Sequence, residues 1–297
     1  MAHTTVLLKQ TIDLLDIKAG DIIVDATTGN AGHTKEAGSR AENLTLICID
    51  ADETAIEQAK KNLLTTEAIK IFAISYFDQL KDIINKNHIQ NIDKAIFDLG
   101  LRTDQLENAE RGFSFKSNGP LKMTFQNNPD ENSVTAYDVV NDWGEENLAD
   151  IIYGFGEEQF SRRIAKAIVE TREEKPIETT VELAEIIYKA VPFWYRHKKI
   201  HPATKTFQAI RMAVNRELQQ IETALKDAYE LLNPKGRIAV ISFHSLEDRI
   251  VKRLFNKFVE EQNGRLIIKK PLIPDDEEIS QNPKSRSAKL RVIEKEN

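Results

Sequence analysis

The sequence predicts an α/β protein, a Rossmann-like sheet interrupted by an all-helical inserted domain. Three observations carry this expectation. Strand-like and helix-like segments alternate over the N-terminal third of the chain, the pattern of a parallel sheet with crossover helices. An apolar run ending at Asp25 is followed by a glycine turn (Gly29, Gly32) and a helical stretch, and a second apolar run ends at Asp50, 21 residues after Gly29. That order sets a backbone loop against a ligand and a carboxylate against a ribose. From Ser133 to about Ala190 every segment reads as helix, which marks an insertion.

The elements follow in order. Strands are expected at Ile22–Asp25, Thr45–Asp50, Ile69–Ile74 and Lys94–Asp98, and helices at Val6–Leu15, Thr34–Ser39, Glu53–Leu64 and Phe77–Asn87. Ligands of such sheets sit beyond the carboxyl ends of the strands, so Asp25, Asp50 and Asp98 are expected to line one crevice. A lone acid at a strand end is usually a turn or cap residue; the convergence is the specific signal. From Leu99 to Asp130 the pattern breaks at Gly100, Gly112, Gly119 and Pro120, and reads as a long ordered loop carrying Phe113, Phe115 and Met123. Helices follow at Ser133–Trp143, Glu145–Tyr153, Glu157–Thr171 and Thr180–Ala190, with Ser133 and Thr180 as N-caps and Pro176 as a break. A long helix is expected from about Thr204 to Leu232, stopped by Asn233-Pro-Lys-Gly236. After it come a strand at Arg237–Phe243, a helix Leu246–Phe258 capped by Ser245, and strands at Arg265–Lys269 and Ala288–Glu294.

Composition narrows the class. The 297 residues are 41% hydrophobic, with a net charge of −6. No apolar run is long enough to span a bilayer, and the first residues lack the layout of a signal peptide. A single cysteine, Cys48, rules out a disulfide framework and points to the cytoplasm. It lies inside an apolar run and reads as a core thiol. Net acidity hides a local feature: Tyr195 to Arg216 holds Arg196, Lys198, Lys199, Lys205, Arg211 and Arg216 with no acid. This reads as an anion-binding surface, with a solvated helix face as the alternative. Phe193-Trp194-Tyr195 sets aromatics beside those cations, as RNA-contacting surfaces often do. Trp143 reads as core. The histidines show no metal-ligand spacing, so no metal is expected. The third glycine of a dinucleotide fingerprint is missing, since His33 follows Gly32. S-adenosylmethionine, which has no pyrophosphate, therefore fits better than NAD.

Three segments carry a resemblance: Glu107-Asn-Ala-Glu-Arg-Gly-Phe-Ser-Phe115 with Gly119-Pro-Leu; His201-Pro-Ala-Thr-Lys-Thr-Phe-Gln-Ala-Ile-Arg211 with Val214-Asn-Arg-Glu-Leu218; and Ile241-Ser-Phe-His-Ser-Leu-Glu-Asp-Arg-Ile-Val-Lys-Arg253. From His3 to about Arg291 the chain resembles the MraW/RsmH family of S-adenosylmethionine-dependent methyltransferases of small-subunit ribosomal RNA. The resemblance implies a class I methyltransferase sheet and S-adenosylmethionine as cofactor. It implies methyl transfer to the exocyclic N4 amine of a decoding-centre cytidine in 16S ribosomal RNA. Carried over by position, it implies Ala31, Gly32, His33, Asp50, Phe77, Asp98 and Gln105 as cofactor residues. Asp50 would take the ribose hydroxyls, Phe77 would pack on the adenine, and Asp98 would face the sulfonium and act catalytically as the amine's acceptor.

On the RNA side the candidates are Arg111, Phe113, Phe115, Arg196, Lys198, Lys199, Lys205, Arg211 and His244. For Phe113 and Phe115 the alternative is a core plug, for Arg111 a pin holding the loop, and for His244 a buried hydrogen-bonding role. Residues 1–105 and 204–297 are expected to form the methyltransferase domain, and 106–203 the loop and helical insertion that recognises RNA. The small ribosomal subunit is the expected partner, and a homodimer stays open. Three places depart from the family's usual pattern. Ala31 stands for a glycine, Leu101-Arg-Thr-Asp-Gln-Leu106 for Val-Ser-Ser-Pro-Gln-Leu, and Lys122-Met-Thr-Phe125 for Asp-Met-Arg-Met. These changes motivate an alternative: a non-catalytic or retargeted RNA-binding assembly factor that keeps the fold.

Overall fold

A computed structural model describes residues 5–127, 129 and 133–296. The expectations on Met1 to Thr4, including the start of the resemblance at His3, and on the loop's end at Asp130 lie outside the described residues. The chain divides into two compact units, Met1–Gly100 with Leu218–Asn297, and Leu101–Glu217.

The first unit is built on seven strands: β1 (Ile22–Asp25), β2 (Leu44–Asp50), β3 (Ala68–Ile74), β4 (Ile92–Asp98), β5 (Leu232–Ser242), β6 (Gly264–Leu266) and β7 (Lys289–Lys295). Their spatial order is β3-β2-β1-β4-β5-β7-β6. The four pairings among β3, β2, β1, β4 and β5 are parallel, while β7 runs antiparallel to β5 and β6 antiparallel to β7. The chain builds outward from β1 to β3, then returns to lay β4 on the other side of β1. The strand order therefore reverses between β1 and β4, where ligands of open α/β sheets bind.

The strands read as near-continuous apolar runs because both faces of the sheet are covered. Side chains alternate between two cores. Val24, Ile47, Phe97, Ile238 and Val240 pack with Leu225, Tyr229, Phe255 and Phe258. Their neighbours Ile23, Leu46, Ile96, Ala239 and Ile241 pack with Ile12, Leu15 and Val292. Each such side chain, fully buried, contributes about 1.5–3 kcal/mol.

Several expectations shift. The stretch Phe77–Asn87 opens with a 3-10 turn, Phe77–Gln79, before the helix Leu80–Lys86. The long helix is two helices, Ala203–Val214 and Glu217–Leu231, with Arg216 at φ 48 between them. The break has a cause. The buried Asn215 carboxamide accepts from the Phe125 N–H at 2.8 Å and donates to the Met123 carbonyl at 2.7 Å and to the Arg211 carbonyl at 2.8 Å, so the residue ties the loop to the end of the first helix. No separate turn follows the second helix. β5 starts at Leu232, and its register against β4 shifts between Ile92 and Lys94, so Asn233 to Gly236 form an excursion of the strand.

Three caps also move, each to the residue with an acid three positions on. Thr135 caps with Asp138 instead of Ser133, Thr179 with Glu182 instead of Thr180, and His244 with Glu247 instead of Ser245. A reciprocal capping box satisfies two orphan N–H groups where a lone hydroxyl satisfies one.

The helical unit buries Leu148, Ile164, Ile168, Leu183 and Ile187 together with Ala203, Phe207 and Ile210. The helix Ala203–Val214 thus belongs to this core. The units divide after residues 100 and 217, where 105 and 203 were expected. Within this unit the glycine-rich loop is ordered by crossing itself. A Cβ on Gly119 would lie 1.9 Å from the Ala109 carbonyl oxygen, and one on Gly112, at φ +70, would lie 2.1 Å from that of Pro120. Only glycine permits backbones to pass this closely. Trp143 packs partly buried against this core. No helix among the described residues is long and apolar enough to cross a membrane.

Candidate active site

The site forms where β1, β2 and β4 end. Asp25 is buried, and its carboxylate accepts from the Thr34 hydroxyl at 2.5 Å and the Thr27 N–H at 3.3 Å. Burial pushes its carboxyl up to about 6, against the pull of those hydrogen bonds. Asp50 closes the glycine turn: Oδ2 accepts from the Gly29 N–H at 2.8 Å and Oδ1 from the Asp52 N–H at 2.9 Å. The Thr27-Thr28 turn ties the strand ends together. The Asp98 N–H donates to the Thr27 hydroxyl oxygen at 2.6 Å, and the Thr28 N–H to the Ile49 carbonyl at 3.0 Å.

Asp98 is the least compensated of the three acids. Its Oδ1 is shut off from solvent and has no hydrogen-bond partner among the described residues. Burial pushes its carboxyl up to about 8, reinforced by the negative charges of Asp25 and then Glu247. Asp50 raises Asp25 in the same way. The three acids thus share one region and act on one another electrostatically, as the strand ends predicted. A buried polar atom without a partner is rare and calls for an explanation.

The glycine turn leads into the helix Gly32–Gly38. Ala31, at φ 62, adopts the left-handed conformation that favours glycine. Its methyl group is fully buried in an apolar cluster with Cys48, Ala59 and Leu63, so it packs in the core. His33 is buried in the helix's first turn, with Nδ1 3.9 Å from Asp98 Oδ2. Phe77, just past β3, packs edge-on against Phe97 at 6.0 Å, partly buried. Gln105 lies in the helical unit, where its side chain accepts from the Arg102 N–H at 3.2 Å to hold the short helix Thr103–Glu107. The Cys48 thiol is buried and pushed up to about 12 by burial, with Asp25 adding to the effect. Thr27, Thr28 and Thr34, which organise the acids, were not singled out from the sequence. Their signal is the Thr-Thr-Gly run after the strand.

The helical unit gives most of the expected RNA residues structural work. Arg111 is buried and donates to the Thr124 carbonyl at 3.1 Å and the Phe125 carbonyl at 2.8 Å, pinning the loop. Phe113 is buried and stacks on Phe125 at 5.9 Å. Phe115 packs between His201 at 4.7 Å and Phe207 at 4.9 Å. Both rings act as core plugs. Arg196 donates to the Val191 and Lys189 carbonyls, and Lys205 to the Glu157 carbonyl at 2.7 Å. Arg211 makes a bidentate pair with buried Glu217 at 2.7 and 2.8 Å. These groups answer to local carbonyls and acids before any ligand. Lys198 and Lys199 remain exposed, Lys198 lying 5.0 Å over the ring of exposed Trp194. In the first unit, His244 accepts from the Glu247 N–H through Nδ1 at 3.4 Å, so its ring caps a helix.

A parallel sheet continued by antiparallel β7 and β6, with strand-end acids grouped at its reversal point, defines a class I methyltransferase architecture. The MraW methylase family model matches residues 1–296. The chain is 41% identical over 309 residues to the ribosomal RNA small subunit methyltransferase H of Brevibacillus brevis, covering 99% of this chain and 98% of that one. It is 46% identical over 290 residues to the protein of the same name from Sulfurihydrogenibium sp., covering 98% of each. The counterpart in Clostridioides difficile is 43% identical over 309 residues, covering 99% and 98%. Among solved structures, an rRNA methylase from Streptococcus thermophilus aligns over 100% of this chain and 99% of its own, at a TM-score of 0.46 and 12% identity. The chain belongs to the MraW methylase family.

Proposed function

We propose that this chain is an S-adenosylmethionine-dependent methyltransferase that methylates the exocyclic N4 amine of a cytidine in the decoding centre of 16S ribosomal RNA. The observation that carries the reading is Asp98, a strand-end acid with one buried carboxylate oxygen that has no hydrogen-bond partner among the described residues. The residues fit the cofactor. A carboxylate offers about four acceptor sites, so Asp50 can hold two N–H groups and still accept a ribose hydroxyl. Ala31, Gly32 and His33 open a helix beside it, and Phe77 follows β3 on the same edge of the sheet, where an adenine would lie.

The cofactor supplies a methyl group on a positively charged sulfur. Asp98 supports its transfer in two ways. In its ionised form its negative charge offsets that positive charge in a poorly solvated place. It also accepts an N–H of the exocyclic amine, which releases the nitrogen lone pair from the ring for in-line attack. Positioning and preset electrostatics then supply most of the rate. The Cys48 thiol, buried and raised to about 12, has no part in it, which favours nitrogen over ring carbon as the target.

A base in folded RNA must be splayed out to reach such a pocket. Lys198 and Lys199, with Phe193 and Trp194 exposed beside them, form the surface of the helical unit suited to gripping RNA. The small ribosomal subunit is the partner in this reading, and the cytoplasm its place. The reading of a non-catalytic assembly factor is not favoured, because the relatives matched over nearly their whole length bear the name methyltransferase. Two of the charges that motivated it also cancel locally: Arg102 pairs with Asp104 at 3.0 and 2.9 Å.

The test is methyl transfer from labelled cofactor to small subunits that lack the modification, followed by mass spectrometry of the RNA. A single methyl on cytidine N4 is expected. Label at another position, or none, defeats the reading.

A further inference from the structure

We infer that Phe243 is the surface on which the target base stacks: its ring stands one step past Asp98 on the same face of the sheet and holds the splayed pyrimidine while the exocyclic amine reaches the carboxyl group. This rests on the reading of Asp98 as the amine's acceptor. It goes beyond that reading by naming the group that holds the base, and it does not depend on whether the carboxyl is ionised.

Strand alternation puts both residues on one face. On β4, Phe97 points into one core and Ile96 into the other, so Asp98 shares the side of Ile96. On β5, Ile241 lies in that second core, and Phe243 packs partly buried against it. Asp98 and Ile241 are register partners. The Leu99 N–H donates to the Ile241 carbonyl at 2.9 Å, which keeps the two segments side by side past the end of β4. Phe243 therefore follows two residues beyond the partner of Asp98, a step of about 6–7 Å. Its backbone is held there by the cap of the helix Ser245–Glu261. The Phe243 N–H donates to Glu247 Oε2 at 2.8 Å.

The ring has a side left clear. Gly100, at φ +107, faces it, and a Cβ built there would lie 3.4, 3.9 and 4.0 Å from Phe243 Cδ2, Cγ and Cε2. Glycine places no side chain against the ring at that point, in a conformation that other residues rarely adopt. Among the described residues Phe243 meets no other aromatic ring. The fully buried Phe97 and Phe255 differ, meeting Phe77 at 6.0 Å and Phe258 at 6.5 Å. Leu99 and Gly100, which follow Asp98, supply no aromatic of their own. A flipped base is read by hydrogen bonds along one edge and by stacking on its faces. Asp98 supplies the first and Phe243 the second. The stacking given up in the RNA is regained only once the base is seated. Its benefit therefore falls on the rate at saturating RNA, while phosphate contacts govern RNA affinity.

The first experiment needs no turnover. Full-length protein saturated with S-adenosylhomocysteine, the cofactor without its methyl group, is titrated into cytidine monophosphate, and the ring protons of the base are followed by NMR. In wild type they should move upfield, the shielding felt over the face of an aromatic ring, and in Phe243→Leu that movement should be lost. Movements of equal size in the two proteins, or none in wild type, overturn the proposal. The second experiment is single-turnover methyl transfer at saturating RNA. Phe243→Leu should be about 10- to 100-fold slower than wild type, and Phe243→Tyr should recover to within about threefold, because its ring stacks as well. KM for RNA should stay within about twofold, and calorimetry should give one S-adenosylmethionine affinity for all three proteins. Equal rates in Phe243→Leu and Phe243→Tyr, or a loss in Phe243→Leu matched by a loss of cofactor affinity, marks a merely structural ring and also overturns it. Failure of the wild type to methylate ribosomal RNA defeats the functional reading instead, and the titration still decides whether Phe243 faces a base.

Discussion

Charge is handled in opposite ways in the two units. At the strand ends of the α/β unit, Asp98 is held with an unpartnered buried oxygen and a carboxyl raised to about 8. In the helical unit, Arg111, Arg196 and Lys205 are tied to backbone carbonyls, and Arg211 to a buried glutamate. The first arrangement is expensive for the fold and has chemistry to offer. The second is satisfied and offers a ligand little. Conspicuous charge in a sequence is therefore a poor guide to function until its partners are known. An uncompensated group is the better guide, since a fold keeps one against its own stability.

The widest test of this contrast is Asp98→Asn. Single-turnover methyl transfer should fall about a thousandfold, while the fold should gain stability at neutral pH. The sign follows from linkage. The native carboxyl, raised from 3.8 to about 8, binds more protons than the unfolded chain across that window. Wild-type stability therefore falls as pH rises from about 4 to about 8. The Asn variant lacks this loss, so its melting temperature should exceed wild type by a margin that grows through the window and is flat above it. A margin independent of pH would break the contrast.

Arg211→Met should behave in the opposite sense. Removing one partner of the pair with Glu217, whose side chains are 13% and 6% exposed, should cost about 3–5 kcal/mol. Urea denaturation measures this. The salt dependence of RNA binding should stay as in wild type, and a shallower slope with unchanged stability would return Arg211 to the RNA surface. Asp50→Ala removes the acceptor of the Gly29 and Asp52 N–H groups as well as the proposed ribose contact. Calorimetry should show S-adenosylmethionine affinity reduced roughly 10- to 100-fold, and equal affinities would remove Asp50 from the site. The smallest effect belongs to Lys198→Ala with Lys199→Ala. Two lost phosphate contacts should reduce the slope of log K against log salt by about 1.4. Stability should change by less than about 1 kcal/mol, the scale of one exposed cation–π contact. An unchanged slope would remove that patch from RNA binding.

The strand-end acids were legible because a strand is a local object. An apolar run of fixed period that stops at Asp25, Asp50 or Asp98 needs no distant information to be read. β1 starts and ends at the expected residues, and β2, β3 and β4 end where expected. The caps were displaced by one or two residues because a capping box needs the pair Thr135–Asp138, Thr179–Glu182 or His244–Glu247. The hydroxyl residue alone cannot distinguish neighbouring starts. The cation run Tyr195–Arg216 spans a helix end, a turn and a second helix, and the local partners of Arg196, Lys205 and Arg211 could not be read from it. Asn215 escaped notice for a related reason. Its partners at Met123 and Phe125 lie some 90 residues earlier.

The amino-acid sequence alone determined the alternating α/β pattern, the three acids at strand ends, the glycine turn and the helical insertion, since each follows from short-range periodicity and turn chemistry. Tertiary structure decided which charges are free to act. Whether a carboxylate or a guanidinium is compensated depends on carbonyls and acids brought to it from distant parts of the chain, and on how far water is excluded around it. Those are properties of packing, and no single stretch of sequence contains them.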